Sequence, residues 1–136
     1  MSDPVLELQA ALIAWLRGQG VLQTWLGDPV RFYDQLPQAV EYPYVTFGRV
    51  TAQSIGGLGA EVTEQTLNLL CVSRHAGTEE VKAMAGALRE LLDGAELSVA
   101  GQHLVSLRVV FVDVFRAADN RTIYGVVRIR AVSEVV

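Results

Sequence analysis

The stretch HLVSLRVVFVDVFRAADNRTIYGVVRIRAVSEV, residues 103–135, decides the fold of this chain. Apolar and polar side chains alternate on either side of a short polar segment at residues 117–121, which predicts two long strands, His103 to Arg116 and Thr122 to Val135, joined by a turn. The apolar face would hold Val105, Leu107, Val109, Phe111, Ile123, Val127, Ile129 and Ala131. The other face would hold Arg108, Arg116, Arg128, Arg130 and Glu134. We therefore predict an antiparallel hairpin with one buried face and one charged face.

Length and composition indicate one domain spanning residues 1–136, large enough to bury a core without disulfides. The single cysteine, Cys71, lies in an apolar segment and indicates a reducing compartment or a buried thiol rather than a secreted disulfide framework. No run approaches the roughly 18 apolar residues that a membrane span requires, and no basic segment precedes an apolar one at the N-terminus, so we expect a soluble chain without a signal peptide. The net charge of −4 argues against tight nucleic-acid binding but is compatible with DNA passing an acidic surface.

Two further patterns predict helices. Asp3 and Pro4 predict the cap and the first residue of a helix whose apolar positions recur until Gly18. The apolar spacing from Val81 predicts a second long helix, capped by Thr78 and ended by Gly94.

Residues 44–52 and 61–74 predict another strand pair, while residues 21–26 and 30–33 predict a short helical turn and a short strand. The predicted fold class is α+β, with about four main antiparallel strands in two hairpins covered by two helices.

The residue types that carry chemistry are sparse and isolated. His75 and His103 are the only histidines, and neither has the spacing of a metal site or an obvious partner for acid–base catalysis. The glycine-rich segment at residues 56–59 is followed by a strand rather than a helix, so a flexible hairpin tip is favoured over a phosphate-binding loop. We predict no catalytic, metal or cofactor site.

Several short segments follow one another along the chain: Tyr33-Asp34 with Pro37, Pro43-Tyr44-Val45-Thr46, Ser106-Leu107-Arg108, Arg116, Asp119, Arg121-Thr122, Gly125 and Val127-Arg128-Ile129-Arg130-Ala131-Val132. In this order and at these intervals they resemble the tail-completion or tail-terminator family of long-tailed phages and gene transfer agents. The likeness runs over nearly the whole chain. One departure is Asn120 in the last turn, where glycine is expected; asparagine tolerates positive φ, so the hairpin remains expected.

The resemblance implies a structural assembly protein rather than an enzyme. Such a protein forms a homohexameric ring at the head-proximal end of the tail tube, ends tail polymerisation and joins the tail to the head connector. The implied partners are other copies of the chain, the tail tube protein and the connector or stopper protein, with DNA only passing through the lumen and no membrane contact. The implied location is the head–tail junction of a phage-like particle assembled in the bacterial cytoplasm.

Two sets of residues are predicted to make the contacts of such a ring. The tail-tube contact is predicted at the glycine-rich hairpin tip: Gln53, Ser54, Ile55, Gly56, Gly57, Leu58, Gly59 and Glu61. The inter-subunit contact is predicted at Arg108, Arg116, Asp119, Arg121, Arg128 and Arg130, because guanidinium groups suit carboxylates of a neighbouring subunit. For Asp119, ordinary turn chemistry is an equally good interpretation.

Three other functions remain open at the level of sequence. The stopper protein that closes the head connector is also small, and sequence pattern separates it poorly from a terminator. A small enzyme would require His75 or His103 to approach a carboxylate beside a pocket. A dimeric ligand-binding module would bury the face that carries Arg108 and Arg128.

Overall fold

The computed structural model describes residues 3–56 and 61–136, which form three helices and five strands. In chain order these are α1 (Pro4–Arg17), α2 (Gly20–Leu26), β1 (Phe32–Tyr33), β2 (Tyr44–Ser54), β3 (Val62–Ser73), α3 (Glu79–Leu92), β4 (Gln102–Arg116) and β5 (Ile123–Val135). The predicted α+β class is confirmed, with five strands in place of about four. No helix in the described ranges is long and apolar enough to cross a membrane.

The strands form one mixed sheet in the order β1-β2-β3-β5-β4. The two predicted hairpins, β2–β3 and β4–β5, are antiparallel, and β3 also pairs antiparallel with β5, so the hairpins join into a single surface. The fifth strand, β1, is only two residues long and runs parallel to the start of β2. The long strands β3 and β5 therefore form the centre, and β4 forms one edge.

The helices bury one face of this sheet. Leu8, Leu12 and Leu16 of α1 lie on one stripe at helical spacing, and all three are buried. Helix α3 contributes Val81, Met84, Ala85, Leu88 and Leu92 to the same core as Leu67, Leu69, Val127 and Ile129 of the central strands. The predicted apolar stripes of both helices are thus confirmed. The opposite face of the sheet has no helix over it in the described part of the chain.

Of the two residues predicted to cap helices, one makes a capping hydrogen bond with its side chain and the other does not. Asp3 accepts a hydrogen bond of 2.9 Å from the backbone N–H of Val5, so its predicted capping role is confirmed. The prediction for Thr78 is wrong: it precedes α3 with helical backbone angles, and its side chain makes no capping hydrogen bond. Because its backbone is already helical, its hydroxyl is not directed at the next backbone N–H groups as an extended cap residue would direct it.

Two bulges in β4 correct the prediction that its apolar residues share one face. The pairing with β5 shifts register between Leu104 and Ser106, and again between Val109 and Phe111, so that Val105 and Val110 each lack a partner. Leu107 and Val109 remain on the core side, but Val105 is 53% exposed and Phe111 is 45% exposed.

The second bulge also places Arg116 on the opposite side of the sheet from the predicted charged face. Arg116 pairs directly with the buried Ile123, whereas Arg108 pairs with Arg130 on the open face. Each bulge adds one residue to a repeat of two, so every side chain after it changes face.

Gly125 provides a test of how α3 is seated on the sheet. A Cβ at Gly125 would lie 2.5 Å from Cγ1 of Val81 and 3.5 Å from Cβ of Cys71. Gly125→Ala should therefore lower the free energy of unfolding by about 1–3 kcal/mol, as overpacking does in a filled core. Chemical denaturation of the purified protein measures this change.

Gly86, in the middle of α3, supplies the matched control. Its hypothetical Cβ has no atom within 4 Å among the described residues. Gly86→Ala should raise the free energy of unfolding by about 0.5–1 kcal/mol, since alanine loses less backbone entropy in a helix. Equal effects of the two substitutions would contradict a close approach of α3 to Gly125.

Candidate assembly interfaces

The predicted tail-tube segment begins within the sheet rather than in a loop. Gln53 and Ser54 belong to β2 and pair with Glu64 and Thr63 of β3. The backbone N–H of Ile55 then donates to the carbonyl of Val62 at 2.9 Å. The hairpin ladder is therefore longer, and its tip shorter, than the sequence predicted.

Ile55 and Glu61, two further described residues of this segment, lie at the end of the sheet. Ile55 is 46% exposed, and the carbonyl of Glu61 accepts a hydrogen bond of 3.0 Å from the backbone N–H of Val135. Gly56 is half-buried. Gly57, Leu58 and Gly59 lie outside the described residues. The described residues that flank the tip thus lie at the end of the sheet where β5 ends.

Arg130, on the open face, has a carboxylate partner inside the chain. Its Nε donates to Oε2 of Glu64 at 2.9 Å, and its Nη2 contacts the same oxygen. Gln53 donates to the other carboxylate oxygen at 3.1 Å. The hydrogen bond from Arg130, followed by that from Gln53, holds the pKa of Glu64 below its ordinary value. The pair ties β5 to β3 and orients Gln53 at the base of the tip.

Arg128, two residues earlier on the same face, contacts an amide and an aromatic ring. Its Nε donates to Oδ1 of Asn68 at 2.9 Å, and its guanidinium carbon lies 4.6 Å from the ring centre of Phe111. A guanidinium over an aromatic face is a favourable arrangement that also covers apolar surface. Arg128 therefore bridges β3, β5 and β4.

Arg108 reaches the end of helix α3. Its Nε donates to Oδ1 of Asp93 at 2.8 Å, and the same oxygen accepts a bond of 3.0 Å from the backbone N–H of Val109. The bond from Arg108, followed by that from the N–H of Val109, lowers the pKa of Asp93, and the bond to Asp93 raises the pKa of Arg108. Asp93 thus holds the end of α3 against the edge of β4.

The last turn uses Asp119 internally. One carboxylate oxygen of Asp119 accepts hydrogen bonds of 2.9 Å from the backbone N–H groups of Arg121 and Thr122, and the other accepts one of 2.9 Å from the Thr122 hydroxyl. Asn120 has φ of 58°, so the positive φ that the sequence suggested is confirmed. Turn stabilisation is the role that the structure gives Asp119.

The six predicted inter-subunit residues therefore fall into two groups. Arg108, Arg128 and Arg130 lie on the open face, and each has a partner within the chain. Arg116, Asp119 and Arg121 lie at the end of the sheet opposite the hairpin tip. In the part of the chain that the structure describes, the side chains of Arg116 and Arg121 are exposed and make no hydrogen bond or ion pair.

Sequence reasoning did not find the partners Glu64, Asn68 and Asp93. Glu64 and Arg130 are 66 positions apart, and Asp93 and Arg108 are 15 apart, so no local spacing connects them. A strand order that places β3 beside β5 would have been needed to pair Glu64 with Arg130. Only one signal for these contacts was available in the sequence, which was the alternation of charged and apolar side chains along β4 and β5.

The histidines do not form a recognisable reaction centre. His103 lies in a groove of about 870 Å³ between residues 94–99 and 102–108, and it faces Glu134 across the β4–β5 pair. Within residues 3–56 and 61–136, neither histidine side chain hydrogen-bonds a carboxylate or a hydroxyl, and no cluster of three metal-ligating side chains occurs. The arrangement a nucleophile and its base require is not assembled there.

These observations define a small α+β protein whose charged and apolar groups lie on exposed surfaces suited to assembly. Residues 10–134 match the family described as tail completion protein gp17, and the chain belongs to that family. Membership of the family gives the chain a structural role in a phage-like tail.

A solved structure shows the same fold. The chain is similar to a chain in the structure described as the virion of a native gene transfer agent (GTA) particle, with 24% sequence identity, 98% of this chain and 99% of that chain covered, and a TM-score of 0.90. The predicted family is confirmed by the family match. No match occurs among curated proteins.

The turn at Asp119 predicts a dependence of stability on pH. The pKa of Asp119 is lowered from 3.8 to about 2, first by the N–H of Arg121 and then by the two groups of Thr122. A carboxyl with a lowered folded-state pKa stabilises the fold above its unfolded pKa, and this contribution is lost as pH falls through the folded value. Thermal unfolding should show wild type melting above Asp119→Ala at neutral pH, with the difference narrowing between pH 3.8 and about 2.

Asp34→Ala is the matched control, since Asp34 is exposed and accepts no hydrogen bond among the described residues. The melting temperature of this variant should stay close to that of wild type between pH 3.8 and about 2. If the melting temperatures of wild type and Asp119→Ala differed as much at the lowest pH as at neutral pH, the result would contradict the role of this carboxylate in the turn.

Proposed function

We propose that this chain forms a homohexameric ring at the head-proximal end of a phage-like tail tube, ends tail polymerisation there and joins the tail to the head connector. The observation that supports the proposal, beyond family membership, is that the two regions proposed as contacts lie at opposite ends of one sheet. The tip after Ser54 lies at one end, and the turn at Asp119 lies at the other. The 13 residues of β5 separate them by about 40 Å at the usual rise per residue.

The hairpin tip is the proposed contact with the tail tube. The pairing of β2 with β3 extends to Ser54 and Thr63, which gives the tip a rigid base. Arg130, Glu64 and Gln53 brace that base from the open face. A braced hairpin with an exposed Ile55 presents apolar surface near its base, and the buried centre of a protein interface is more apolar than the rest of the surface.

The turn end is the proposed contact with the connector. Arg116 and Arg121 are exposed there, and the Asp119 bonds hold the turn that places them. Exposed guanidinium groups with no partner among the described residues are available to carboxylates of another protein. DNA would only pass through the lumen, which agrees with the net charge of −4.

Lateral contacts between subunits are proposed at the edge strand β4, which carries Arg108. Arg128 and Arg130 lie one strand further in, on β5. Because the bonds of Arg108 and Arg130 to Asp93 and Glu64 lie at the surface, a neighbouring carboxylate could share these guanidinium groups with little loss.

Deletion of residues 55–60 tests the tip. The deletion leaves Glu61 and Val62 to join Ser54 to Thr63, so the sheet should form. Particles carrying it should have tails of irregular length or tails detached from heads, as measured by electron microscopy. Tails of normal, uniform length would contradict a terminating contact at the tip.

A replacement of residues 35–39 by glycine and serine is the matched control. These residues are exposed and follow β1, which pairs with the start of β2 at the end of the sheet away from the tip. Tail length should remain uniform in this variant. Circular dichroism of both purified variants checks that neither change unfolds the protein.

Labelling of the particle tests the placement. Val136 donates its backbone N–H to the carbonyl of Gly101, near the tip end of the sheet. A small tag after Val136 should therefore appear at the tube side of the head–tail junction, with six copies per particle by quantitative mass spectrometry. A tag at the capsid side would favour the stopper, and absence from the particle would contradict the proposed function.

A further inference from the structure

The edge strand β4 has an open segment, residues 110–116, on its outer side. Before this segment the chain closes the edge itself. The backbone N–H of Gly94 donates to the carbonyl of Leu107 at 2.7 Å, and Asp93 accepts from the N–H of Val109 at 3.0 Å. Along the open segment, no strand within the described ranges lies beside β4. An unpaired strand edge is a template for an added strand.

Within the open segment, Val112 and Val114 direct their backbone N–H and carbonyl groups away from β5. The backbone N–H of Ala117 donates to the carbonyl of Thr122 at 2.8 Å, and an antiparallel ladder forms such inward bonds at every second residue. The alternation leaves the groups of Val112 and Val114 facing outward. They make no hydrogen bond to any described residue, so both residues are available to a partner's backbone.

The side chains of Val112 and Val114 lie on the helix side of the sheet, where they form part of a groove. Their partners on β5 are Val127, in the core, and Gly125, which α3 approaches closely. The groove has a volume of about 240 Å³ and lies between α3 and the open segment. Its lining consists of Lys82, Ala85, Gly86, Arg89, Val112 and Val114. The groove therefore combines an apolar surface with two basic side chains.

The basic side chains at this end of β4 are the ones that the chain leaves without a partner. Of the 11 basic residues, those with a contact to a carboxylate, a carbonyl, an amide or an aromatic ring are Arg17, Arg31, Arg74, Arg108, Arg128 and Arg130. Those without such a contact among the described residues are Lys82, Arg89, Arg116, Arg121 and Arg49. Two of the latter line the groove, and two lie beyond the end of its strand or at it. In a chain of net charge −4, such a cluster indicates an acidic partner.

Acidic side chains of the chain itself do not neutralise the groove. Asp113 belongs to the open segment, but its side chain alternates with those of the groove and lies on the opposite face of the sheet. Asp93, four residues after Arg89, is bonded to Arg108. Neither Lys82 nor Arg89 forms an ion pair within the described ranges.

A second copy in the proposed ring offers no open strand at this level of the sheet. Through the registers of β5 and β3, Val114 is level with Val45, and Val45 pairs with Phe32 of β1. The N–H of Phe32 donates to the carbonyl of Val30 at 2.8 Å, and its own carbonyl accepts from Nη2 of Arg17 at 2.7 Å. The edge that rotation about an axis along the strands brings to this level is therefore bonded within its own chain.

We infer that the groove between α3 and residues 110–116 binds an extended acidic segment of the head connector, which adds a strand to β4. Backbone hydrogen bonds to Val112 and Val114 hold the segment, and its carboxylates pair with Lys82 and Arg89. The inference rests on the proposed function, since it names the surface through which the turn end takes its connector. The groove and the exposed guanidinium groups of the turn end lie at the same end of β4.

A charge reversal tests the groove in particles. Arg89→Glu places a carboxylate beside those of the partner in every copy, so the fraction of heads that carry a tail should fall by at least about tenfold. Electron microscopy measures this fraction and should show detached tails of uniform length, because the hairpin tip is unchanged. Circular dichroism of the purified variant checks that it folds.

Arg49→Glu is the matched control. It changes the net charge by the same amount, and Arg49 is also exposed and without a side-chain partner among the described residues, but it lies on β2. The fraction of heads that carry a tail should stay within about twofold of wild type.

A photo-cross-linker identifies the occupant of the groove. With p-benzoylphenylalanine in place of Val112, irradiation of the particles should attach the chain to one other protein, and peptide mass spectrometry should locate the link in an acidic segment of the connector. Val105 is the matched control position, since it is 53% exposed against 37% for Val112 and also lies on β4, but outside the open segment. It should give little of this product.

The outcomes separate the two levels of proposal. Normal joining or irregular tail length in Arg89→Glu particles would overturn the groove contact, as would a cross-link from position 112 no stronger than that from position 105. A cross-link to the tail tube protein or to another copy of this chain would also overturn it and would identify the true occupant. The proposed function fails separately, if wild-type particles lack the chain at the head–tail junction or hold a number of copies other than six.

Discussion

The unbroken pairing of β3 with β5 is the constraint on which the rest of the structure depends. All 12 residues of β3 pair with β5 without a register shift, whereas the outer pairs β2–β3 and β4–β5 both contain shifts. Because the pairing is regular, alternate side chains of both strands lie on the same face of the sheet. Leu67, Leu69, Val127 and Ile129 lie on this face, in the core with the helices. Gly125 permits α3 to approach this face closely. The core is therefore fixed by the centre, and irregularity is confined to the outer strands.

Irregularity at the edge gives the molecule its exposed apolar surface. The bulge at Val110 reverses the faces of the residues that follow, so Phe111 leaves the core and rests under Arg128. The same segment has no strand on its outer side among the described residues. Soluble proteins rarely leave such an edge uncovered. The part of the edge before Val110 is closed within the chain by Asp93 and Gly94.

The arginines of the open face connect different elements within the chain. Arg130 joins β5 to β3 through Glu64, and Arg108 joins β4 to the end of α3 through Asp93. These exposed ion pairs orient side chains more than they add stability. Ser54, at the base of the hairpin tip, and the turn at Asp119 lie at opposite ends of this sheet.

The sequence by itself determined the α+β class, both long helices, both hairpins, the turn at Asn120 and the family. These features depend on local periodicity, on turn chemistry and on the order of short segments, all of which are written along the chain. Only the tertiary structure decided the strand order, the partners of Arg108 and Arg130, and the exposure of Val105 and Phe111. The physical reason is that register and bulges depend on which strands become neighbours. One inserted residue reverses every later side chain without changing the alternating pattern that the sequence displays.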